Sequence, residues 1–447
     1  MKIKALSRST SSVQAPGSSV QRQSRNYDPA LHPFERAREY TRALNATKLE
    51  RMFAKPFIAS LGRGHVDGVY RICNDPTSLE NFASGSGDGV VKVWNLTSQE
   101  EVYQVQAHEN IVKGLCWSQE KRLLSCAADK TIKMWDPYNT PTNSPPIASW
   151  SGREPYTSIS HHRTHPSFAV CSTNSIHIHD TTRPNSNPSS ILAWPTAVNS
   201  LTSVAFNPTE TSLLASSATD HTIALYDLRT SSPLTRTSLT FSCNALAWNP
   251  MEAFNLAAAS EDHNIYLFDT RHMKRALNVL RDHVAAVMDV HWSPTGTQLV
   301  SGSYDRTVRL WNREKGHSRD VYHTKRMQRV FSCAWSADDG FVLSGSDDGD
   351  VRLWRATASD RRGIKTFAQR TKEEYDDALK KRYAHMPAIK RIARHRHVPK
   401  NVKKAGEIKG EELKSLKRRE ENERKHTHKG KTKRMAEREK MVAAVEE

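Results

Sequence analysis

Long apolar runs are missing from this 447-residue chain, and none approaches the roughly 20 residues that a membrane-spanning helix needs. The opening residues, Met-Lys-Ile-Lys-Ala-Leu-Ser-Arg-Ser-Thr, lack the apolar centre of a secretory signal. We therefore expect neither a secretory leader nor a membrane partner.

Signatures of metal binding and catalysis are also missing. The six cysteines show no CxxC spacing and lie in apolar surroundings, which favours buried free thiols in an intracellular protein over a zinc site. The chain has no Walker-type glycine loop and no isolated nucleophile arrangement. We therefore expect no catalytic residue, no cofactor, no metal and no small-molecule substrate. The cysteines are Cys73, Cys116, Cys126, Cys171, Cys243 and Cys333.

A repeated turn-and-strand sequence is the dominant feature that the chain does have. Ser301–Asn312 reads SGSYDRTVRLWN, a turn followed by the period-2 alternation of a strand. Close copies begin at Ser84 and Ser344. Four looser copies have Trp135, His179, Tyr226 and Phe268 at the end of their strands. Seven copies spaced by roughly 40–47 residues match the period of WD repeats. The strand-end positions are Trp94, Trp135, His179, Tyr226, Phe268, Trp311 and Trp354. The sequence thus predicts an all-β fold, a seven-bladed WD-repeat β-propeller over residues 57–360.

Three copies contain a His, a Ser, an Asp and a Trp in the same order. In WD-repeat proteins, which this chain resembles, these side chains form a hydrogen-bonded chain inside each blade. A buried Asp is costly unless it is paired, and a His N–H can satisfy it. The alternative, a catalytic Ser-His-Asp set, is disfavoured because catalysis needs one such set and not several. The three sets are His65, Ser84, Asp88, Trp94; His108, Ser125, Asp129, Trp135; and His283, Ser301, Asp305, Trp311.

The third copy is the least regular, because Thr173 and His179 replace the turn Asp and the Trp. Histidines cluster in this copy, and a metal site there is one hypothesis. No acidic or Cys ligand accompanies them, so we expect no bound metal. The clustered residues are His161, His162, His165, His177 and His179.

The net charge of +18 is concentrated in the ends of the chain. Residues 1–56 have a net charge of +7 and residues 361–447 a net charge of +14, whereas residues 57–360 have −3. An excess of Lys and Arg over Asp and Glu that is confined to the two extensions indicates an acidic partner, most often a nucleic acid.

The N-terminal extension is predicted in two parts: a basic disordered tail over 1–32 and an amphipathic helical segment over 33–56. Phe34, Ala37, Thr41 and Leu44 fall on one face, and a capping box at Thr47–Glu50 predicts a second short helix. Two hypotheses remain open: the helix packs on the propeller rim, or one face binds a partner.

The C-terminal extension, residues 361–447, is predicted to be basic and helical, with helices over Glu373–His385, Glu407–Lys425 and Thr432–Val445. The dense basic run between the first two of these helices, from Lys390 to Lys400, is a candidate phosphate contact, although a merely solvated basic face is the alternative. Two short runs, Lys417–Arg419 and Lys429–Arg434, are also typical of nuclear-import signals. The RNA-binding candidates are Lys390, Arg391, Arg394, Arg396, His397, Lys400, Lys403, Lys404, Lys417, Arg418 and Arg419.

Two adjacent copies end in an aromatic-Asp-x-Arg sequence. This pair resembles the box of WD-repeat substrate receptors of cullin-RING ubiquitin ligases, where the Arg residues bind the adaptor. A local salt bridge from Asp to Arg is the alternative explanation. The residues are Tyr226, Asp227 and Arg229, and Phe268, Asp269 and Arg271.

Several stretches outside the strand repeats resemble the suppressor-of-fibrillarin (Sof) family over essentially the whole chain. They are Leu31–Phe57, Asn249–Asn255 (NPMEAFN), Asp282–Gly296 and Met386–Lys400. The resemblance implies a nucleolar component of the small-subunit processome, which contains the box C/D small nucleolar ribonucleoprotein and processes pre-rRNA. It also implies that Phe57–Gly64 supplies the outer strand of the seventh blade, as in other WD-repeat proteins.

We therefore expect a non-enzymatic nuclear and nucleolar scaffold in small ribosomal subunit biogenesis. Its propeller would bind assembly factors and its basic extensions pre-rRNA. The alternative is a substrate receptor that binds a ubiquitin-ligase adaptor through the paired box.

Overall fold

The computed structural model describes residues 28–62, 64–141, 144–184, 186–193, 200–230, 233–360, 363–428 and 435–446. The chain forms two compact units, one from Met1–Lys55 with Ser359–His395 and one from Pro56–Ala358 with Arg396–Glu447. Residues 1–27 of the predicted disordered tail over 1–32 and the import sequence over 429–434 lie outside the described residues. The described end of that tail contradicts the prediction, since Pro29–Leu31 forms a 3-10 turn. Among the described helices, none has the length and apolar character needed to span a bilayer.

Seven antiparallel sheets, the blades of a β-propeller, make up most of the larger unit, as predicted. Blades 1 to 6 take four consecutive strands each, β2–β5, β6–β9, β10–β13, β14–β17, β18–β21 and β22–β25, and blade 7 takes β26–β28 with β1. The strands are β1 (Phe57–Ser60), β2 (Val69–Asn74), β3 (Asn81–Ser86), β4 (Val90–Asn95), β5 (Glu101–Gln106), β6 (Val112–Trp117), β7 (Leu123–Ala127), β8 (Thr131–Trp135), β9 (Ala148–Ser151), β10 (Ser158–His161), β11 (Ser167–Cys171), β12 (Ile176–Asp180), β13 (Ser190–Leu192), β14 (Leu201–Phe206), β15 (Leu213–Ala218), β16 (Thr222–Asp227), β17 (Pro233–Leu239), β18 (Cys243–Trp248), β19 (Asn255–Ser260), β20 (Ile265–Asp269), β21 (Ala276–Leu280), β22 (Val287–Trp292), β23 (Gln298–Ser303), β24 (Val308–Asn312), β25 (Ser318–Tyr322), β26 (Val330–Trp335), β27 (Phe341–Ser346), β28 (Val351–Arg355) and β29 (Val442–Glu446).

The ring is closed by β1, as the resemblance to WD-repeat proteins implied. Phe57 lies opposite Trp354 and Ala59 opposite Leu353 in an antiparallel pair with β28. The Phe57 ring also contacts Trp354 edge to face, with ring centroids 5.4 Å apart. Because β1 comes from the other end of the propeller sequence, this pairing covers an edge that would otherwise be exposed.

The core lies between successive blades, and the repeated glycine of the Ser-Gly-Ser sequence is explained by this packing. A Cβ atom at Gly302 would stand 2.7 Å from Val330 Cγ1, on the first strand of the next blade. A Cβ atom at Gly85 would stand equally close to Val112 Cγ1. The blades therefore approach each other too closely here for any side chain.

The predicted helix over Thr432–Val445 is wrong for the residues that the structure describes. Val442–Glu446 forms β29, which pairs antiparallel with β17 and extends blade 4 to five strands. The preceding Met441 is 3% exposed and packs with Leu239 and Met273 in the core between blades 4 and 5. Helix propensity in the alanine-rich sequence is overridden because an apolar anchor and an open strand edge are available.

The smaller unit contains helices α1 (Glu35–Met52), α2 (Phe367–Arg382) and α3 (Pro387–Arg394), after a 3-10 turn at Pro29–Leu31. Its small core joins Ala43 of α1 to Leu379, Tyr383 and Ile389 of the C-terminal part of the chain. A salt bridge of 2.9 Å between Glu50 and Lys380 adds to this contact. The remaining helix, α4 (Lys400–His426), belongs to the larger unit and confirms the predicted helix over Glu407–Lys425.

Two details of the predicted N-terminal segment are wrong. The capping box does not start a second helix, since Thr47 lies inside α1 and its hydroxyl donates to the Ala43 carbonyl at 2.8 Å. The apolar face is also different: Phe34 is 81% exposed, and the stripe that faces α2 and α3 runs through Tyr40 and Leu44 with the buried Ala43 and Thr47. The partner of α1 is thus a distant part of the same chain, which local pattern could not identify.

Candidate nucleic-acid and protein interfaces

The four-residue hydrogen-bonded chain is complete in blade 6. Trp311 Nε1 donates to Ser301 Oγ at 2.8 Å, and Ser301 Oγ lies 2.7 Å from His283 Nε2. His283 Nδ1 lies 2.8 Å from Asp305 Oδ2. Burial lowers the pKa of His283 and keeps the ring neutral, so one ring nitrogen donates and the other accepts. Burial alone would raise the pKa of Asp305, but the hydrogen bond with His283 and the positive charge of Arg309 bring it below its ordinary value.

Blade 2 contains the same chain through Trp135, Ser125, His108 and Asp129, with distances of 3.0, 2.8 and 2.8 Å. Both serines are fully buried, so neither is an exposed nucleophile. The geometry is that of a structural network inside these two blades.

Blade 1 differs from the sequence expectation. Trp94 Nε1 donates to Ser84 Oγ at 2.8 Å, and Ser84 Oγ lies 2.7 Å from His65 Nε2. The buried His65 Nδ1 has no hydrogen-bond partner among the described residues, and the Asp88 carboxylate accepts from the Val90 amide instead. The motif therefore has all four residues here, but only three of them are joined.

The histidines of blade 3 take structural positions. The ring of His179 stacks on Phe168 with centroids 5.4 Å apart, in the slot that Trp occupies in regular blades. His177 Nε2 lies 2.9 Å from Ser175 Oγ, and His162 Nδ1 accepts the amide of His165 at 2.9 Å. Within the described part of the chain, no group of three or more His, Cys, Asp or Glu side chains could hold a metal ion.

The basic candidates on α3 are solvent-exposed. Lys390, Arg391 and Arg394 are exposed on this short helix, and none of them forms an ion pair within the described residues. The helix is anchored by the buried Ile389, and Arg51 of α1 donates to the Ala393 carbonyl at 2.9 Å. The smaller unit therefore presents three unpaired cations on a fixed helix.

Arg396 and His397, in the larger unit, are already engaged by the propeller. Arg396 Nε lies 3.3 Å from an Asp320 carboxylate oxygen, and its side chain is only 19% exposed. The His397 ring stacks on His323 with centroids 5.3 Å apart. These two residues hold the chain on blade 6 and are poorly placed to contact phosphate.

The remaining RNA-binding candidates lie on α4, where some cations form ion pairs with Glu side chains and others do not. Lys400, Lys403 and Lys404 in its first turns are exposed and form no ion pair within the described residues. In the second half of α4, acidic neighbours on the same helix or on the C-terminal segment pair with most cations, although Arg418 forms no ion pair with any residue that the structure describes. The pairs are Lys414–Glu411 (2.8 Å), Lys417–Glu437 (3.3 Å), Arg419–Glu423 (3.3 Å) and Lys425–Glu421 (3.2 Å).

Sequence reasoning missed Lys409, which fastens α4 to the propeller. Its ammonium group donates to the His283 carbonyl at 2.9 Å. Burial lowers the pKa of this lysine. The only sequence feature that could have indicated this contact is the partly apolar stretch Gly-Glu-Ile-Lys-Gly, which lies between two basic runs.

The two aromatic-Asp-x-Arg boxes end the third strands of blades 4 and 5. Tyr226 and Phe268 are buried in the cores of these blades. The third strands of neighbouring blades run in the same direction, so both boxes reach the same face of the propeller.

The two arginines of the boxes are held differently. Asp269 accepts two hydrogen bonds from the Arg271 guanidinium, at 3.0 and 2.8 Å, and this guanidinium lies 3.9 Å from the centre of the Phe254 ring. The hydrogen bond from Arg271 lowers the pKa of Asp269. Asp227 accepts the amide of Arg229 at 3.0 Å, and the exposed Arg229 side chain forms no ion pair among the described residues.

Two family profiles match this chain. The Sof1-like domain matches residues 356–442, and the WD domain, G-beta repeat, matches residues 56–95, 99–136, 192–227, 234–269, 274–312 and 315–355. The matched repeats leave out blade 3, where the sequence predicts the least regular copy.

Full-length relatives are similar along nearly the whole chain. Protein SOF1 of Saccharomyces cerevisiae is 47% identical over 451 residues, covering 95% of this chain and 91% of that protein. DDB1- and CUL4-associated factor 13 of Dictyostelium discoideum is 47% identical, covering 94% of this chain and 95% of that protein. The protein of the same name from Homo sapiens is 43% identical, and the match covers 100% of both chains.

Among solved structures, the WD40 beta propeller domain of Doa1 is similar with a TM-score of 0.58 at 21% identity. The match covers 67% of this chain and 96% of that chain. At this identity the likeness shows the propeller fold alone.

Proposed function

Because this chain belongs to the Sof1-like family of WD-repeat proteins, we propose that it is a non-enzymatic scaffold of the nucleolar small-subunit processome. In this role the propeller binds other assembly factors, and the basic extension contacts pre-rRNA near the box C/D small nucleolar ribonucleoprotein. The protein thereby acts in small ribosomal subunit biogenesis, in the nucleus and nucleolus. The role is carried over from the family resemblance, and the RNA contacts are inferred from charge.

The observation that carries the RNA-binding part is the division of cations in the C-terminal extension. Lys390, Arg391 and Arg394 on α3 are exposed and form no ion pair in the described part of the chain, and the same holds for the three lysines that start α4. Unpaired cations on fixed helices are free to replace the counterions of phosphates, whereas cations already paired with Glu gain less. We therefore assign RNA contact to Lys390, Arg391, Arg394, Lys400, Lys403 and Lys404, ahead of the second half of α4.

The test compares two full-length variants with equal loss of charge. Lys403→Gln with Lys404→Gln removes two unpaired cations, and Lys414→Gln with Lys425→Gln removes two paired ones. Fluorescence anisotropy with a labelled single-stranded RNA gives the dissociation constant at several salt concentrations. We expect the first variant to reduce the slope of log affinity against log salt by about 1.4, since each contact with single-stranded RNA contributes about 0.7. The second variant should leave the slope nearly unchanged.

Ultraviolet crosslinking in cells, followed by sequencing of the attached RNA, tests the processome part separately. Reads concentrated on the small-subunit region of the rRNA precursor or its guide RNA would support the proposal. An absence of RNA above background, together with equal salt slopes for both variants, would contradict it.

A second candidate function, binding of a ubiquitin-ligase adaptor, is supported by the paired box and by the name DDB1- and CUL4-associated factor 13 given to several relatives. Arg271 is preorganised by Asp269 and Phe254, which reduces the entropy lost when it binds a partner. Arg229→Ala with Arg271→Ala should abolish binding to purified DDB1, measured by pull-down. Arg275→Ala, an exposed arginine on the same loop, is the matched control, and equal binding by both proteins would exclude the box as the contact.

A further inference from the structure

A row of aromatic rings crosses blades 1, 7 and 6 on one face of the propeller. The Tyr70 ring of blade 1 stacks on the Phe331 ring of blade 7, with centroids 4.7 Å apart. The Tyr304 ring of blade 6 meets the Phe331 ring edge to face, with centroids 5.8 Å apart. Tyr304 is 39% exposed, and the exposed Arg329 guanidinium lies 5.4 Å from the centre of its ring. The end of the row at Tyr304 and Arg329 is therefore open to a ligand.

The fold holds these rings in place. Tyr70 and Phe331 are the second residues of β2 and β26, and each lies at a β-bulge, where the extra residue departs from the regular alternation of side chains. Tyr304 lies in the turn between β23 and β24, and its amide donates to the Ala286 carbonyl at 3.1 Å. The next residue, Asp305, is the buried carboxylate of the complete hydrogen-bonded chain in blade 6. A ring on a turn that is fixed in this way loses little entropy when a ligand stacks on it.

Exposed cations lie in the two loops next to the Tyr304 ring. One follows Tyr304 in the same turn, and three lie in the loop between β25 and β26. The buried Met327 anchors this longer loop. None of the four forms an ion pair with a residue that the structure describes. The four cations are Arg306, Lys325, Arg326 and Arg329.

Two exposed carboxylates near the row lie on its blade 1 side. Asp67 accepts the Gly68 amide at 2.7 Å, and the Asp347 carboxylate lies at the same glycine, 3.2 Å from where a Cβ atom would stand. The Asp347 amide donates to the Arg329 carbonyl at 2.9 Å, but the two side chains form no ion pair. An anionic ligand is therefore attracted to the four cations beside Tyr304 and repelled from Gly68.

The first turns of α4 continue this basic surface. The His397 ring stacks on the ring of His323, which lies just after β25 at the start of the cationic loop. Lys409 donates to the carbonyl of His283, whose ring is hydrogen-bonded to the turn that contains Tyr304. Between these two anchors lie the three lysines at the start of α4, and the helix from its first residue to Lys409 is about 14 Å long.

Cations next to a stackable ring fit single-stranded RNA better than a duplex or a protein segment. The bases of a single strand can stack on an aromatic ring or on an arginine plane, whereas the bases of a duplex are already stacked on each other. An acidic protein segment would pair with the cations but would leave the Tyr304 ring without a stacking partner.

We propose that the loops of blades 6 and 7, together with the first turns of α4, form one binding site for single-stranded RNA. One base stacks on the surface formed by Tyr304 and Arg329, and phosphates of the same strand pair with Lys325, with Arg326 and with the lysines of α4. This inference rests on the RNA-binding part of the proposed function and extends it from the C-terminal extension to the propeller.

Fluorescence anisotropy of the full-length protein tests the stacking contact. The probes are a labelled oligoadenylate and a ribose-phosphate chain of the same length without bases. Tyr304→Leu should weaken binding of the oligoadenylate at least about fivefold, the smallest ratio that one base stacked on an aromatic ring provides, and should not change binding of the chain without bases. Tyr304→Phe keeps the ring and should bind both probes normally. The matched control, Tyr138→Leu, changes a tyrosine that is 38% exposed at the opposite end of a third strand, and it should also bind both probes normally.

The phosphate contacts and the proposed function are tested with the same probes. Lys325→Gln with Arg326→Gln should lower the slope of log affinity against log salt by about 1.4. If Tyr304→Leu binds oligoadenylate like the wild type while Lys403→Gln with Lys404→Gln binds it more weakly, the site on the propeller is excluded and RNA binding by the extension stands. Weaker binding of both probes by Tyr304→Leu would make the ring a structural element and would also exclude the site. No RNA binding by the wild type, or tighter binding of a hexaglutamate peptide than of RNA, would contradict this site and the proposed RNA contacts together.

Discussion

Replacing His179 with phenylalanine should make the protein more resistant to acid. His179 is 4% exposed and is stacked on Phe168, with the Trp150 ring centroid 6.5 Å away. Neither ring nitrogen has a hydrogen-bond partner among the described residues. Blade 5 has Phe268 in the equivalent slot, so phenylalanine fits this position in at least one blade of the same propeller.

The size of the effect follows from the pKa of His179, which burial lowers to about 4. In the unfolded chain a histidine has a pKa of about 6.5, so the unfolded state binds a proton first as the pH falls. The free energy of unfolding of the wild type is therefore unaffected by this proton above pH 6.5, and it decreases as the pH falls from about 6.5 to about 4. At about 1.36 kcal/mol per pH unit, this proton removes about 3 kcal/mol of the free energy of unfolding between these limits.

The assay is urea-induced unfolding of the wild type and of His179→Phe at several pH values between 7 and 4. We expect the difference in unfolding free energy between the two proteins to grow by about 3 kcal/mol over this range. The variant should also be slightly more stable at pH 7, because two unsatisfied nitrogens are removed. A pH-independent difference would refute the reasoning, since it would mean that His179 is protonated in the folded state or is accessible to water.

Further predictions concern the blade network and the C-terminal strand. Asp305→Ala should cost about 3–5 kcal/mol in denaturant unfolding, because it leaves the buried His283 without its carboxylate and leaves Arg309 with the Asp282 carboxylate alone, at 3.8 Å. Asp88→Ala in blade 1 should cost no more than about 1 kcal/mol, since Asp88 does not reach His65. Equal costs would mean that the hydrogen bond to the histidine is unimportant. Met441→Ala should cost about 2–5 kcal/mol of unfolding free energy, because Met441 is buried between blades 4 and 5. The Thr240 amide donates to the Met441 carbonyl at 2.9 Å, so its hydrogen exchange should become faster in the variant. Unchanged exchange would contradict an anchoring role for Met441.

The C-terminal extension also determines how RNA binding can be studied. Residues 367–394 contribute α2 and α3 to the core that holds α1, and residues 441–446 cover the edge of blade 4. Removing residues 361–447 would therefore expose apolar surface in both units as well as remove cations. Point substitutions such as those of Lys403 and Lys404 separate the loss of charge from the loss of structure.

Much of the fold was determined by the sequence alone, because blades are local. Each blade is built mainly from strands adjacent in the chain, so strand alternation, turn residues and a repeat period are enough to predict the ring and its irregular third copy. The family resemblance added the closing strand β1, which periodicity does not show. The Ser-Gly-Ser glycine also repeats in the sequence, although its cause, the close approach of Val330 to Gly302, appears only in the packing.

Only the tertiary structure decided the features that depend on distant contacts. Asp88 and Asp305 occupy the same place in the motif, but only Asp305 reaches its histidine. Residues 432–445 have the composition of a helix, yet a free strand edge more than 200 residues away in the sequence makes Val442–Glu446 a strand. Likewise, Lys403 and Lys417 are equally basic in the sequence, and only the structure shows that Glu437, on the segment before β29, pairs with Lys417. Local sequence encodes propensity and charge, but the partner that satisfies a side chain or an edge is set by the folded chain.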